Sequence, residues 1–209
     1  ANPHSILGVS KRIAELAVLG CGVSAGRYAA IRLVNVLGSN GSVLPLFLEQ
    51  IKHRRPLTIT HPEAARHFIA LQDAVHLILT ATALDERSVI YVPEVSEPIR
   101  IVDIARQLLQ HTGQEKRPDS VEFTGLRPGE KLREELLAPE ESFQATSHHS
   151  IKAITESPHS RDKLDQAIRQ LDGAIKRRDL SSLLRTIRQL VPGYKPSKTV
   201  CPTGFDLHD

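Results

Sequence analysis

The sequence predicts a mixed α/β fold that ends in a helical region, and two patterns support this class. Short apolar runs alternate with amphipathic segments up to about residue 125, which is typical of strands connected by helices. From about Ser160 the apolar spacing is purely helical and resembles a helical hairpin that closes the fold. The chain has 209 residues, of which 40% are hydrophobic, and this is enough for a domain with a real core.

The predicted elements follow in chain order. Apolar residues at helical spacing from Ile13 to Leu19 predict a first helix, which Gly20 and Gly22 end. A buried strand is predicted over 27–34, and the turn-rich loop NVLGSNGS follows it. Further helices are predicted over 43–53, 70–84 and 99–113. Further strands are predicted over 56–60, 88–93 and 120–125.

Composition and charge exclude several classes of function. The formal net charge is only +3, and the chain has three Tyr, five Phe and no Trp, so it offers little for stacking on nucleic acid bases. No apolar run approaches the roughly 20 residues that a membrane span requires. Cys21 and Cys201 lie far apart, and the histidines lack ligand spacing. We therefore expect no nucleic acid partner, no metal, no membrane span in this chain and a cytoplasmic location, although segments outside this sequence could associate with a membrane.

A glycine-rich stretch raises the question of a dinucleotide site. Gly20, Gly22 and Ala25 form a G-x-G-x-x-A pattern, which cradles a pyrophosphate when it lies between a strand and a helix. The preceding residues LAVL follow charged residues at helical spacing, and no acidic residue ends a second strand about 20 positions later, as ribose binding requires. A glycine-rich link between helix and strand is therefore the favoured interpretation.

The opening stretch NPHSILGVSKRIAE contains a second candidate site. Lys11 lies four residues after Leu7, which is the spacing at which a Tyr and a Lys share a helix face for proton chemistry. Leu7 has no proton to give, and an isolated helix lysine is usually solvated. The pattern alone therefore leaves Lys11 undecided between a site residue and a surface residue.

Several stretches together resemble one protein family in their order and spacing. They are NPHSILGVSKRIAE, RLVNVLGSNGSVLPLFLEQI, LTITHPEAARHFIALQDAVHLIL, SEPIRIVDIARQLL and VEFTGLRPGEKLREELL, and the later LVPGYKPS fits as well. From residue 2 to about 197, the chain resembles the nucleoside-diphosphate-sugar 4,6-dehydratase/epimerases of the CapD-type polysaccharide biosynthesis family. Such enzymes are similar to extended short-chain dehydrogenases, in which an N-terminal half holds NAD(P) and the C-terminal part holds a UDP-sugar.

The resemblance implies a division of the chain. The sequence has no Met and opens in what resembles the middle of a domain, so we expect a piece that corresponds to the C-terminal part of the family. NAD(P) is then expected in the complete enzyme, with none bound by this piece alone. The expected regions are the incomplete end of a Rossmann-type domain over 1–40, a nucleotide-sugar region over 41–159, a helical cap over 160–197 and a loose tail over 198–209.

The resemblance also implies roles for the opening helix. Lys11 takes the position of the lysine in the family's Y-x-x-x-K motif, which binds the nicotinamide ribose and lowers the pKa of the tyrosine. Leu7 takes the tyrosine's place, where longer members of the family carry Met. Catalytic and cofactor-binding roles are therefore both expected of Lys11.

The substrate residues follow from the same resemblance. Asn35 and the loop residues Gly41, Ser42 and Val43 are expected to line the diphosphate and the sugar. Arg66 is expected to contact a phosphate, as is Arg127, while Glu130 is expected to bind the ribose hydroxyls. By spacing alone, RPGEKLREELL could equally be a Pro-Gly turn that opens a solvated helix, and Asn35 could be a turn residue.

The implied function is the substrate-binding part of a UDP-sugar 4,6-dehydratase/epimerase, a lyase of surface polysaccharide biosynthesis. UDP-N-acetylhexosamine is the expected substrate class. We expect the piece to be inactive alone and the complete enzyme to be a homo-oligomer. Two alternatives stay open, a non-catalytic nucleotide-sugar-binding or interaction module and a basic helical adaptor built on KRRDLSSLLRTIRQL.

Overall fold

The computed structural model describes residues 1–21, 28–86, 88–114, 120–155 and 160–196, without the side chain of Cys21. The predictions that concern Gly22, Ala25 and the tail from 198 lie outside these residues. The chain divides into two compact units. The first unit comprises 1–32, 84–92 and 135–209, and the second comprises 33–83 and 93–134.

The elements alternate between helices and short strands. The helices are α1 (Ile6–Cys21), α2 (Val43–Lys52), α3 (Leu71–Ala83), α4 (Ile101–His111), α5 (Arg161–Arg177) and α6 (Leu180–Leu190). The strands are β1 (Ala29–Ile31), β2 (Asn35–Val36), β3 (Leu57–Ile59), β4 (Ala65–Arg66), β5 (Phe68–Ile69), β6 (Val89–Pro93), β7 (Ile99–Arg100), β8 (Val121–Phe123), β9 (Gln144–Ala145) and β10 (Ile151–Thr155).

A four-stranded sheet forms the centre of the first unit. Its strand order is β1, β6, β10, β9, with β1 parallel to β6 and β9 antiparallel to β10. All five residues of β6 are buried, which explains why this strand reads as a continuous apolar run rather than an alternating one. Leu19 of α1 packs with Ile90, Val92 and Ile154 of the sheet, so the opening helix is anchored to the strands.

Three helices form the second core of this unit. Val9 and Leu16 of α1 pack with residues of α5 and α6, including Leu164, Leu184 and Ile187. Arg178 adopts the left-handed conformation between α5 and α6 (φ 55°), and the side chain of Asp179 caps α6 by accepting a hydrogen bond from the Ser182 backbone N at 3.0 Å. The predicted helical hairpin is thereby confirmed.

The second unit is built on short strand pairs. The pairs β2–β5 and β3–β8 are parallel, and β4–β7 is antiparallel. Phe47 and Ile51 of α2 and Ala105 of α4 pack on Leu57 and Ile59 of β3. These contacts follow from the amphipathic spacing of both helices, which places apolar side chains on one face.

The predicted α/β class is confirmed, with short strands rather than one complete doubly wound sheet. Two details of the prediction are wrong. The strand expected over 27–34 is found over Ala29–Ile31 and is not buried throughout. The first helix runs from Ile6 to Cys21 and includes Gly20, because its packing extends beyond the apolar stretch that marks it in the sequence. The strands β2, β4, β5, β7, β9 and β10 were not predicted.

Within the ranges that the structure describes, no helix combines the length and the apolar character needed to cross a membrane.

Candidate functional site

Arg66 is the centre of a polar cluster in the second unit. Its Nη2 lies 3.3 Å from Oε1 of Glu130, and its Nε lies 3.3 Å from Oε1 of Glu134. On the other edge of the guanidinium, Nη1 donates to the carbonyl oxygens of Ala65 at 2.8 Å and Leu132 at 3.0 Å. The two carbonyls fix the plane of the guanidinium, so its Nε–Nη2 edge is turned towards the two carboxylates.

Glu130 is held by a tight turn and by a hydroxyl. The Glu130 backbone N donates to the Arg127 carbonyl at 2.9 Å, and Gly129 has φ 78°, which fits a type II turn with Pro128 at its second position. The carboxylate accepts hydrogen bonds from Thr60 Oγ1 at 2.8 Å and from the Arg127 backbone N at 3.0 Å. The Pro-Gly turn is thus present, but the helix that it was alternatively expected to open is not formed, since the next residues run irregularly beside β4.

Asn35 joins this cluster from β2. Its Nδ2 donates to Oε2 of Glu134 at 2.9 Å and to the His67 carbonyl at 3.2 Å. Its backbone N also donates to the His67 carbonyl at 3.2 Å, so the residue is part of a strand pair and not only of a turn. Arg66, Asn35, Glu130 and Glu134 are called the Arg66 cluster below.

The loop before α2 carries the other predicted substrate residues. Gly41 has φ 76°, a conformation that favours glycine. Ser42 precedes α2 with an extended backbone, but its side chain makes no capping hydrogen bond. Its Oγ is buried and has no partner within the described part of the chain. The structure places Gly41, Ser42 and Val43 in the same unit as the Arg66 cluster, at the helix N-terminus.

Arg127 contributes its backbone to the Arg66 cluster, while the residue itself is exposed. Its guanidinium is therefore accessible from solvent. The structure brings together Arg66, Glu130 and Asn35 among the predicted substrate residues. Glu134 completes this set and was not predicted.

Lys11 and Leu7 lie on α1 in the first unit. Both residues are exposed, and Leu7 is 70% exposed. Because they are four positions apart on a helix, they share one face. The Ser10 hydroxyl donates a hydrogen bond to the backbone carbonyl of Leu7 at 2.8 Å. The Leu7 side chain itself has no polar group. Proton transfer at this position is excluded by the chemistry of leucine.

A second arginine cluster in the first unit was not predicted. Arg32 donates to Glu15 through Nε at 2.7 Å and Nη2 at 2.8 Å, and to Glu141 through Nη1 at 2.7 Å and Nη2 at 2.8 Å. Its fifth hydrogen bond goes from Nη1 to the Leu136 carbonyl at 2.9 Å. All five guanidinium N–H groups are therefore used. We call Arg32, Glu15 and Glu141 the Arg32 cluster.

Burial and charge act in opposite directions on the pKa values of the Arg32 cluster. Burial alone raises the pKa of the Glu15 carboxyl, but the hydrogen bonds and charges of Arg32 and Arg12 outweigh burial and leave this pKa below its ordinary value. The pKa of Glu141 is lowered in the same way, with a further contribution from its hydrogen bond to the Ala138 backbone N. A charged residue inside the apolar run RYAAIRLV was the signal in the sequence for this cluster.

The residues present fit a dinucleotide cofactor only in part. Lys11 offers an exposed ammonium group that suits ribose hydroxyls. The segment LAVL before the glycine pattern belongs to α1, so no strand leads into this pattern, as a pyrophosphate-binding turn of a dinucleotide site requires. Over the same ranges, no group of three or more His, Cys, Asp and Glu is arranged to hold a metal.

Comparison with known proteins agrees with the mixed α/β fold. Its sequence relatives include polysaccharide biosynthesis proteins and UDP-glucose 4-epimerases. The chain belongs to the polysaccharide biosynthesis protein family, whose sequence profile matches residues 1–156. The resemblance predicted from the sequence motifs is confirmed.

Individual relatives include the capsular polysaccharide biosynthesis protein CapD of Staphylococcus aureus, which is 44% identical over 138 residues, or 65% of this chain and 23% of CapD. A UDP-glucose 4-epimerase of Rickettsia bellii is 33% identical over 147 residues, or 68% of this chain and 42% of the epimerase. The X-ray structure of Pen from Bacillus thuringiensis superposes with a TM-score of 0.62 at 26% identity, covering 74% of this chain and 49% of Pen. The chain thus spans less than half the length of these relatives.

Proposed function

We propose that this chain provides the diphosphate- and ribose-binding part of an enzyme that acts on a UDP-sugar in surface polysaccharide biosynthesis. The reaction we propose is 4,6-dehydration or epimerisation, with a UDP-N-acetylhexosamine as the substrate class. The convergence of Arg66, Glu130 and Asn35 carries this proposal. The family membership and the names of the relatives support it.

The chemistry of the cluster suits a nucleoside diphosphate. The Nε–Nη2 edge of Arg66 is planar and fixed by two carbonyls, and such an edge binds a phosphate through two hydrogen bonds. Glu130 is an acceptor held in place by Thr60 and the 127–130 turn, which suits the donating hydroxyls of a ribose. Ser42 lies at the start of α2, and its Oγ has no partner among the described residues; anions are favoured at such a helix N-terminus.

The role proposed for Lys11 depends on a cofactor-binding half, which the family resemblance places N-terminal to the part that this chain matches. NAD(P), when bound by the complete enzyme, supplies reversible hydride acceptance. Lys11 would place a positive charge at the nicotinamide ribose, and residues outside this chain would move protons, since Leu7 has no acidic hydrogen. In the complete enzyme, Lys11→Ala should greatly reduce UDP-sugar turnover, whereas Leu7→Met should change it little because the volume is similar. Unchanged turnover in Lys11→Ala would make Lys11 an ordinary surface lysine.

Calorimetric titration with UDP tests the proposed diphosphate site. Arg66→Ala and Arg127→Ala should each weaken UDP binding by about 1.5 to 3 kcal/mol, the usual range for hydrogen bonds to charged groups. Arg106→Ala is the matched control, because Arg106 is an exposed arginine of α4 in the same unit. Equal UDP affinity in the unmodified chain and in Arg66→Ala would refute the proposed function.

A second candidate function is a nucleotide-sugar-binding module without catalysis. The leucine at position 7 is compatible with it, because an apolar side chain there, like the Met of longer family members, donates no proton. Turnover and UDP binding of the complete enzyme separate the two candidates. UDP binding without turnover, with NAD(P) occupancy confirmed, would favour the binding module.

A further inference from the structure

Glu134 connects two of the groups proposed to bind the diphosphate. One carboxylate oxygen lies 3.3 Å from Arg66 Nε, and the other accepts a hydrogen bond from Asn35 Nδ2 at 2.9 Å. A phosphate group offers oxygens at a similar spacing to the same two donors. Glu134 therefore lies where a phosphate would have to bind.

Arg66 has too few available N–H donors to bind the Glu134 carboxylate and a phosphate group at the same time. Nη1 is engaged with two carbonyls, so the edge suited to a phosphate is formed by Nε and Nη2. This edge faces Glu134 at Nε and Glu130 at Nη2. One guanidinium and two carboxylates give these three side chains a net charge of −1. Both carboxylates therefore oppose the approach of a diphosphate to Arg66.

The two carboxylates differ in how firmly they are held. The Glu130 side chain is 20% exposed and has two further hydrogen bonds, from Thr60 Oγ1 and the Arg127 backbone N. The Glu134 side chain is 42% exposed and lies on a segment outside the helices and strands. Rotation of Glu134 into water therefore costs less than displacement of Glu130, because water can solvate the freed carboxylate.

We propose that Glu134 is an intramolecular substitute for a phosphate group, which occupies Arg66 and Asn35 before ligand binding and is displaced when a nucleoside diphosphate binds. This inference rests on the proposed function. Glu134 keeps the guanidinium and the amide oriented and satisfied, and it lowers the affinity for anions that carry too little charge to displace it.

Calorimetric titration of Glu134→Gln with UDP and with uridine tests this inference. Gln keeps the shape of the side chain and an acceptor for Asn35 but removes the charge. UDP should bind about fivefold more tightly than to the unmodified chain, the upper range for a partly exposed charge pair, and the gain should shrink at high salt. Uridine has no phosphate, so its affinity should not change. Glu122→Gln removes an exposed charge of β8 and should leave UDP affinity unchanged.

The same titrations identify which claim fails. If Arg66→Ala loses UDP but Glu134→Gln binds it equally or more weakly, Glu134 is not displaced and the inference is wrong while the proposed function stands. An equal gain in Glu122→Gln would also overturn the inference, because it would reflect net charge alone. If the unmodified chain binds no UDP, or Arg66→Ala binds it equally well, the proposed function falls and the inference falls with it. Thermal unfolding of each variant confirms that the fold is kept. Glu134→Asp shortens the side chain by one methylene and keeps its charge, so it should show a smaller gain in UDP affinity than Glu134→Gln.

Discussion

The two units of the molecule each contain an arginine between two glutamates, yet the two clusters differ in burial. In the Arg32 cluster the arginine side chain is 8% exposed and the glutamate side chains are 17% and 1% exposed. In the Arg66 cluster the arginine is 13% exposed and the glutamates are 20% and 42% exposed. The closest charge contacts are 2.7 Å in the first cluster and 3.3 Å in the second.

This difference indicates what each cluster can do. Arg32 gives all five of its N–H groups to protein acceptors, and its partners cannot rotate into water. The Nε–Nη2 edge of Arg66, in contrast, contacts the Glu134 carboxylate, which can rotate into water. The same side-chain chemistry therefore fixes α1 against the strands and the 136–141 segment in one unit and forms an exchangeable anion site in the other.

The largest expected effect comes from removing the buried arginine. Arg32→Ala leaves the Glu15 and Glu141 carboxylates buried without their main partner, so it should lower the free energy of unfolding by about 3 to 5 kcal/mol. Arg66→Ala, whose ion-pair partners are more exposed, should cost about 1 kcal/mol. Urea unfolding at pH 7 measures both values. Equal losses would show that burial does not distinguish the two clusters.

The pH dependence of the same variant sharpens this prediction. The pKa values of Glu15 and Glu141 are lowered in the folded chain. Their ionised forms therefore stabilise the fold above the unfolded pKa, and this contribution is lost as the pH falls through the lowered folded pKa. The stability difference between the unmodified chain and Arg32→Ala should narrow below the ordinary glutamate pKa of about 4.3. A constant difference down to that range and below it would contradict the assignment.

Local patterns made the helices and the strands β1, β3, β6 and β8 predictable. The helices α2, α3 and α4 and the strand β6 lie within one or two residues of their predicted bounds, because their apolar spacing and their packing agree. The strand β10, with the sequence IKAIT, is short and has a lysine at its second position. Only its place beside β6 and β9 makes it a strand.

The candidate site was predictable where a motif carries it. Arg66, Glu130 and Asn35 were identified by resemblance, and the Pro-Gly turn was expected from its residues. Glu134 lies in the same motif, but its contact with Asn35 joins residues that are 99 positions apart. The Arg32 cluster likewise depends on a contact across 109 positions. No local pattern encodes such pairs, so the carboxylate partners of Arg32 and of Arg66 could not be identified from sequence.

The smallest expected effect concerns Thr60, which orients the carboxylate that stays in the Arg66 cluster. Its Oγ1 donates to Glu130 Oε1 at 2.8 Å. Thr60→Val keeps the shape and removes this hydrogen bond, so UDP binding should weaken by about 1 kcal/mol, and Thr60→Ser should restore most of it. Thr186→Val is the matched control, because the Thr186 hydroxyl donates to the Ser182 carbonyl in the other unit; it should change stability but not UDP affinity. If Thr60→Val binds UDP as tightly as the unmodified chain, Glu130 needs no fixed orientation. Glu130 would then be as exchangeable as Glu134, and the distinction between a held and a displaced carboxylate would be lost.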